Sequence, residues 1–90
     1  MALQINITTD SGITVEDSYA RIGNIEGNKN NLNFVLNFYK NKASFQENLA
    51  SLKNEYYSFA PNMDSNFIQQ GYENLKMKEE YKNAIDLLDD

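Results

Sequence analysis

Residues 32–39 read LNFVLNFY and carry the clearest structural signal in the chain. Apolar side chains recur at every second position, which is the period of a strand with one buried face. The preceding residues, 26–31, read EGNKNN and form a turn signal. They separate this strand from a second extended stretch at 13–25, so the sequence predicts an antiparallel hairpin. Gly23, inside that second stretch, predicts a bulge or a close approach of two backbones.

Two further stretches have the character of strands. Residues 3–8 alternate apolar and polar side chains, and residues 54–59 contain three aromatics that favour strands. The segment 40–53 is open to two interpretations. Ser44 and Glu47 match a capping box, which together with apolar residues at helical spacing predicts a short helix. The alternative is a hairpin loop between two strands.

The C-terminal third has helical periodicity. Pro61 closes the strand region, and Asp64 or Ser65 then offers an N-cap. Two apolar stripes follow, and one straight helix would place them about 120° apart around its axis. The sequence therefore predicts two helices, or one sharply bent helix, with the break at 76–80. The stripes are Phe67, Ile68, Gly71, Tyr72 and Leu75, followed by Tyr81, Ala84, Ile85 and Leu88.

These elements predict an α+β fold in a single domain, 1–90. A three- to four-stranded antiparallel sheet, within about 1–60, would be covered on one face by a C-terminal pair of helices within about 63–90. The alternating strands need one buried face, and the helical stripes supply its cover. The predicted core consists of Leu3, Ile5, Ile7, Ile22, Leu32, Phe34, Leu36, Phe38, Phe67, Ile68, Tyr72, Leu75, Ile85 and Leu88.

The composition argues against catalysis and against several classes of ligand. The chain has neither cysteine nor histidine, which removes thiol chemistry, the commonest general base and the usual zinc ligand. Asp86, Asp89 and Asp90 are potential calcium ligands, but no calcium-binding loop pattern surrounds them. The net charge is −5, without a basic stripe or an apolar span. We therefore expect no enzyme activity, metal or cofactor, and neither a nucleic acid nor a membrane as partner.

Three tyrosines are candidate interface residues: Tyr39, Tyr56 and Tyr57. Tyr56 and Tyr57 are neighbours on a strand, so they point to opposite faces and at least one is exposed. Tyrosine is enriched in interfaces, and sheet edges expose unpaired backbone groups. We expect another protein chain to cover 3–8 or 54–59, because neither stretch is well protected by charge. The rival is that both lie inside the domain's own sheet or under its helices.

Both ends of the chain carry distinctive motifs. The chain opens with MALQINI and continues through GITV at 12–15 to SYARI at 18–22. It closes with QGYENLK at 70–76 and EYKNAIDLL at 80–88. These motifs resemble small proteins encoded among the virion structural genes of tailed bacteriophages and prophages, over most of the chain except about 40–55. Members of that family often carry a proline near 77–78, which this chain lacks.

The resemblance implies a structural virion component that is made in the host cytoplasm. Such a component works by contact with other phage structural proteins, in multiple copies of a symmetric assembly. The expected location is the tail, the baseplate or the region where appendages attach. The alternatives are a head or neck component of the virion, and a small free phage protein that binds a host regulatory factor. The first residues show no basic run followed by an apolar stretch, so we expect no export signal.

Overall fold

The computed structural model describes residues 2–62, 64 and 66–87, which form an α+β fold around one antiparallel sheet. Five strands lie in the order β4-β3-β2-β1-β5. They are β1 (Ala2–Thr8), β2 (Thr14–Asn28), β3 (Asn31–Tyr39), β4 (Lys53–Phe59) and β5 (Ile85–Leu87). The helices are α1 (Lys42–Gln46) and α2 (Phe67–Lys76). The expectation of three to four strands is wrong by one, because the short β5 pairs with β1.

The predicted hairpin is confirmed as β2 and β3, which pair along most of their length. Asn28 lies opposite Asn31, and its side-chain oxygen accepts hydrogen bonds from the N–H groups of Asn30 at 2.8 Å and Asn31 at 3.1 Å. Gly27 has a φ of +140°, and a Cβ there would lie 2.2 Å from the Asn31 carbonyl oxygen. The turn therefore requires glycine at this position.

One face of the sheet, here called the inner face, is packed against α2 and the segment 77–84. The buried cluster on this face consists of Leu3, Ile7, Ala20, Ile22, Phe34, Leu36, Phe38, Tyr72, Leu75, Tyr81 and Ala84. The core prediction is wrong for Ile68 and Ile85, which are 50% and 56% exposed. Ile5 and Phe67 are half-buried, and Leu88 lies outside the described residues. Leu32 is buried as predicted.

A bulge in β2 connects the sheet to α2. The register of β2 against β3 shifts between Ile22 and Ile25, as Gly23 between them predicts. At this point the Ile22 N–H donates a buried hydrogen bond of 2.9 Å to the Tyr72 hydroxyl of α2. A Cβ at Gly71 would lie 2.8 Å from the Ile22 side chain, so glycine lets the helix approach the sheet closely.

The first helix lies on the opposite face of the sheet, here called the open face, so the helices are not a C-terminal pair. Of the two interpretations of 40–53, the short helix is confirmed, but its cap is Asn41. The Asn41 side chain accepts a hydrogen bond from the Ser44 N–H at 2.9 Å. The Phe45 ring then packs against Tyr19 and Tyr39, with ring centroids 5.7 and 5.3 Å away.

The second C-terminal helix is wrong, because α2 ends at Lys76 and successive turns follow. Tyr81 N–H bonds to the Lys78 carbonyl at 3.0 Å, and Ala84 N–H bonds to the Tyr81 carbonyl at 3.0 Å. An uninterrupted helix would have rotated Tyr81 away from the face that Leu75 buries. The turns instead bring Tyr81 and Ala84 into the core and deliver the chain to β5.

Candidate functional site

Strand β4 forms an edge of the sheet within the described residues. It pairs with β3 along its whole length, and no strand lies on its other side in this part of the chain. Strand β1, by contrast, lies between β2 and β5. For the stretch 3–8 the structure supports the rival interpretation only in part, because β5 pairs with residues 2–4 and no described strand lies on that side of residues 5–8. Strand β4 lacks such a neighbour along its whole length in this part of the chain. The candidate site is thus the β4 edge.

Tyr56 is the most exposed side chain of this edge that can anchor a contact. It lies at the middle of β4, opposite Val35 of β3, and 77% of its surface is exposed. Asn54 and Ser58 share its face, because alternate residues of a strand point the same way. This is the open face, and α1 covers a different part of it, around Tyr39. Tyr56 therefore presents a large aromatic surface beside unpaired strand backbone.

A depression lies next to Tyr56 and extends from the open face to the rim of the β4 edge. Its volume is about 670 Å³, and its lining includes Val35 and Tyr56 of the open face together with Tyr57 and Lys78. Gly23 lies close by, and a Cβ there would come within 2.7 Å of the Asn37 amide nitrogen. The absence of a side chain at this bulge keeps the sheet surface low beside Val35. The depression and Tyr56 together make the β4 side of the open face uneven and accessible.

Tyr57 points to the inner face and packs, partly buried, against the core cluster. Its ring centroid lies 5.8 Å from that of Phe34, and its hydroxyl is 2.6 Å from the Tyr81 hydroxyl. Lys78 places its ammonium group 5.1 Å from the Tyr57 ring, a cation–π contact at the rim of the edge. Burial raises the pKa of Tyr57 and, together with the hydrogen bond to Tyr57, that of Tyr81. Both hydroxyls are therefore neutral at ordinary pH.

Tyr39 is separate from the other two candidate tyrosines. It lies on the open face of β3, half-buried against the Phe45 ring of α1. Arg21 adds a cation–π contact to Phe45, with its guanidinium carbon 4.7 Å from the ring centroid. Tyr39 is four residues along β3 from Val35, which is about 13 Å of strand. The structure therefore places Tyr39, Tyr56 and Tyr57 in three different environments, and only Tyr56 is largely exposed.

The charges on β4 balance within the strand. Lys53 and Glu55 lie on the inner face, and their charged groups are 3.1 Å apart. The remaining residues of β4 are uncharged, so the strand carries no net charge in a chain of net charge −5. Sequence reasoning identified the aromatics of this edge but missed Lys78, whose position next to Tyr57 follows from the turns after α2. In the sequence Lys78 lies within a run of mixed charges, KMKEE at 76–80, which does not indicate a contact with a strand.

The described residues show no constellation suited to catalysis or metal binding. No group of three or more acidic side chains there is arranged to hold a metal ion. Of the three C-terminal aspartates considered for calcium, Asp86 alone is described, and its carboxylate lies 3.6 Å from the Lys76 ammonium group. Asp89 and Asp90 lie outside the described residues. None of the helices in the described part of the chain is long and apolar enough to cross a bilayer.

Comparison of the chain with protein-family models, with curated proteins and with solved structures found no match.

Proposed function

We propose that this protein is a structural component of a tailed-bacteriophage virion and that it acts through protein–protein contact. We place it in the tail, the baseplate or the region where appendages attach. The resemblance of both ends of the chain to small virion-associated proteins supports this setting. The β4 edge supports the mode of action, because it offers a partner both backbone groups and an aromatic anchor.

The single observation that carries the proposal is the exposure of Tyr56 on an edge strand. A strand that ends a sheet can accept another strand, and natural proteins usually protect such edges with charge, proline or a cover. The second half of β4, residues 56–59, contains neither a charged residue nor a proline, and no described strand covers its outer side. Tyr56 stands 77% exposed at the middle of the strand. An aromatic in that position is typical of residues that dominate binding energy in interfaces.

Mass spectrometry of purified particles tests the setting. We expect the protein in stoichiometric amounts, with a copy number that is a multiple of the particle's symmetry. Separately purified tails and heads then distinguish the tail and baseplate region from a head or neck position. If the protein is absent from purified particles, the structural role is wrong, and a free protein that binds a host factor becomes the better explanation.

Replacement of Tyr56 by serine tests the contact. Because Tyr56 is exposed, we expect Tyr56→Ser to change folding stability by no more than about 0.5 kcal/mol. We expect it to weaken the contact by about 2 kcal/mol, or roughly 30-fold, and to reduce incorporation into particles accordingly. Ile13→Ser is the matched control, since Ile13 is 61% exposed but lies at the β1–β2 turn. Equal incorporation of both variants would show that Tyr56 makes no contact in the particle.

A further inference from the structure

We propose that the chain that covers β4 is a second copy of this protein. The two β4 strands pair antiparallel about a two-fold axis that passes through Tyr56, so that two five-stranded sheets join into one. This inference rests on the proposed function for its setting in the particle. The pairing itself belongs to the purified protein and is measured without particles.

The length of β4 defines one register with complete overlap. The strand runs from Lys53 to Phe59, so its middle residue is Tyr56. Antiparallel pairing about this residue places Tyr56 opposite Tyr56 of the second copy and Glu55 opposite Tyr57 of the second copy. Lys53 then lies opposite Phe59. No two like charges face each other, and open-face residues meet only open-face residues.

Two charged groups of the segment after α2 lie near Tyr57: Lys78, over its ring, and Glu80, which interacts with its hydroxyl. In this register Lys78 is the one that complements Glu55 of the second copy. Glu55 of one copy lies beside Tyr57 of the other, and that ring carries the Lys78 ammonium group at 5.1 Å. The two-fold axis creates this Glu55–Lys78 approach twice. The β4 strand is neutral whereas the chain as a whole carries a net charge of −5, so this edge avoids most of the repulsion between two acidic copies.

The aromatic anchor also suits self-pairing. On the open face, the two Tyr56 rings meet across the axis as a cross-strand aromatic pair, an arrangement that stabilises antiparallel strands. A two-fold contact uses the same edge of both copies, so it closes at a dimer. The opposite side of the sheet consists of β5, which is three residues long and contains Asp86, and of residues 5–8 of β1, where the register against β2 shifts. Short strands, charge and irregular register discourage further pairing there, within the described part of the chain.

The mass in solution is the first test. Sedimentation equilibrium of the purified chain should show a dimer of twice 10.4 kDa, with dissociation on dilution. Glu55→Lys and Lys78→Glu should each weaken the dimer about tenfold, because each turns two attractive approaches into repulsive ones. A mixture of the two variants should restore association, since the heterodimer again pairs opposite charges. Glu16→Lys is the control, as it makes the same change of charge as Glu55→Lys at an exposed position of β2, away from the β4 edge.

Cysteine substitutions test the register, because the chain has no cysteine of its own. Tyr56→Cys should form a disulfide-linked dimer on oxidation, since directly opposite residues lie within disulfide reach. Asn54→Cys should not, because the two copies of position 54 are about 13 Å apart in this register. Mixing Asn54→Cys with Ser58→Cys should restore cross-linking.

The outcomes separate this inference from the proposed function. A chain that remains monomeric at concentrations up to about 1 mM overturns the self-pairing, and its presence in particles would then assign β4 to a different virion protein. A dimer in which Asn54→Cys cross-links as well as Tyr56→Cys overturns the register. A dimer with the expected cross-links supports the inference even if the protein is absent from particles, in which case only the virion setting is wrong.

Discussion

Replacement of Tyr72 by phenylalanine removes one oxygen atom from the junction between α2 and the sheet. The Tyr72 side chain is buried, and its hydroxyl accepts a hydrogen bond from the Ile22 N–H at 2.9 Å. That amide lies at the bulge in β2, where the register against β3 shifts. Burial raises the pKa of Tyr72, so the hydroxyl is neutral and the bond is one between uncharged groups.

The expected loss of stability comes from the Ile22 N–H, which Tyr72→Phe leaves without its hydrogen-bond acceptor. A buried N–H without a partner costs about 1–3 kcal/mol, whereas the ring of phenylalanine keeps the apolar contacts of tyrosine. We take about 2 kcal/mol as the central value. A change of 1 kcal/mol moves the melting temperature of a domain of this size by about 4–8 °C. Tyr72→Phe should therefore melt about 8–16 °C below the parent protein.

Thermal and urea unfolding, followed by circular dichroism, measure this difference. Tyr56→Phe is the matched control, because it removes the same atom from a side chain that is 77% exposed and should change stability by less than about 0.5 kcal/mol. The urea dependence should stay parallel to that of the parent, which shows that both proteins unfold from equally compact states. If Tyr72→Phe is as stable as Tyr56→Phe, the hydroxyl does not serve the bulge and the reasoning is refuted.

Two further predictions concern the turn and the buried tyrosine pair. Gly27→Ala should lower the free energy of unfolding by at least about 2 kcal/mol, and by clearly more than Gly12→Ala. Both positions have positive φ, but only Gly27 lies against backbone atoms. Equal urea midpoints of the two variants would contradict this. Burial keeps the pKa of Tyr81 above its unfolded value, so the unfolded chain releases this proton first and stability falls as pH rises above about 10. The stability of Tyr81→Phe should fall less steeply with rising pH than that of the parent protein. Equal slopes of the two proteins, measured by urea unfolding at alkaline pH, would refute the link.

The strands are the part of the fold that local pattern predicts. In β3 the buried positions alternate with Asn33, Val35 and Asn37, and the turn chemistry of 26–31 separates it from β2. Such signals act within a few residues and do not depend on the rest of the chain. The same holds for Gly23 as the mark of a bulge and for 54–59 as a strand. Their places in the strand order, by contrast, depend on pairing between segments that are distant in sequence.

The C-terminal segment shows where local pattern fails. Tyr81 and Ala84 have helical spacing with Ile85, yet only the first two are buried, and Ile85 belongs to a strand beside Gln4. A free edge of β1 provides backbone partners that a second helix would have left unpaired. Local propensity in such a short segment is worth less than these tertiary hydrogen bonds. The N-cap of α1 is a second example. Because β3 ends at Tyr39 and α1 begins at Lys42, Asn41 occupies the N-cap position that the sequence pattern assigned to Ser44.

The candidate site also has features that the sequence determines and features that depend on the tertiary structure. The sequence by itself determined that Tyr56 and Tyr57 point to opposite faces, because strand geometry requires it, and that the chain lacks the histidine and cysteine of common catalytic sites. Only the tertiary structure decided which of the two is exposed. Tyr57 faces the side on which Phe34 and Tyr81 are packed, and Tyr56 faces the open side. The pairing of residues 2–4 of β1 was likewise decided by β5, a contact between distant segments of the chain that no local pattern contains.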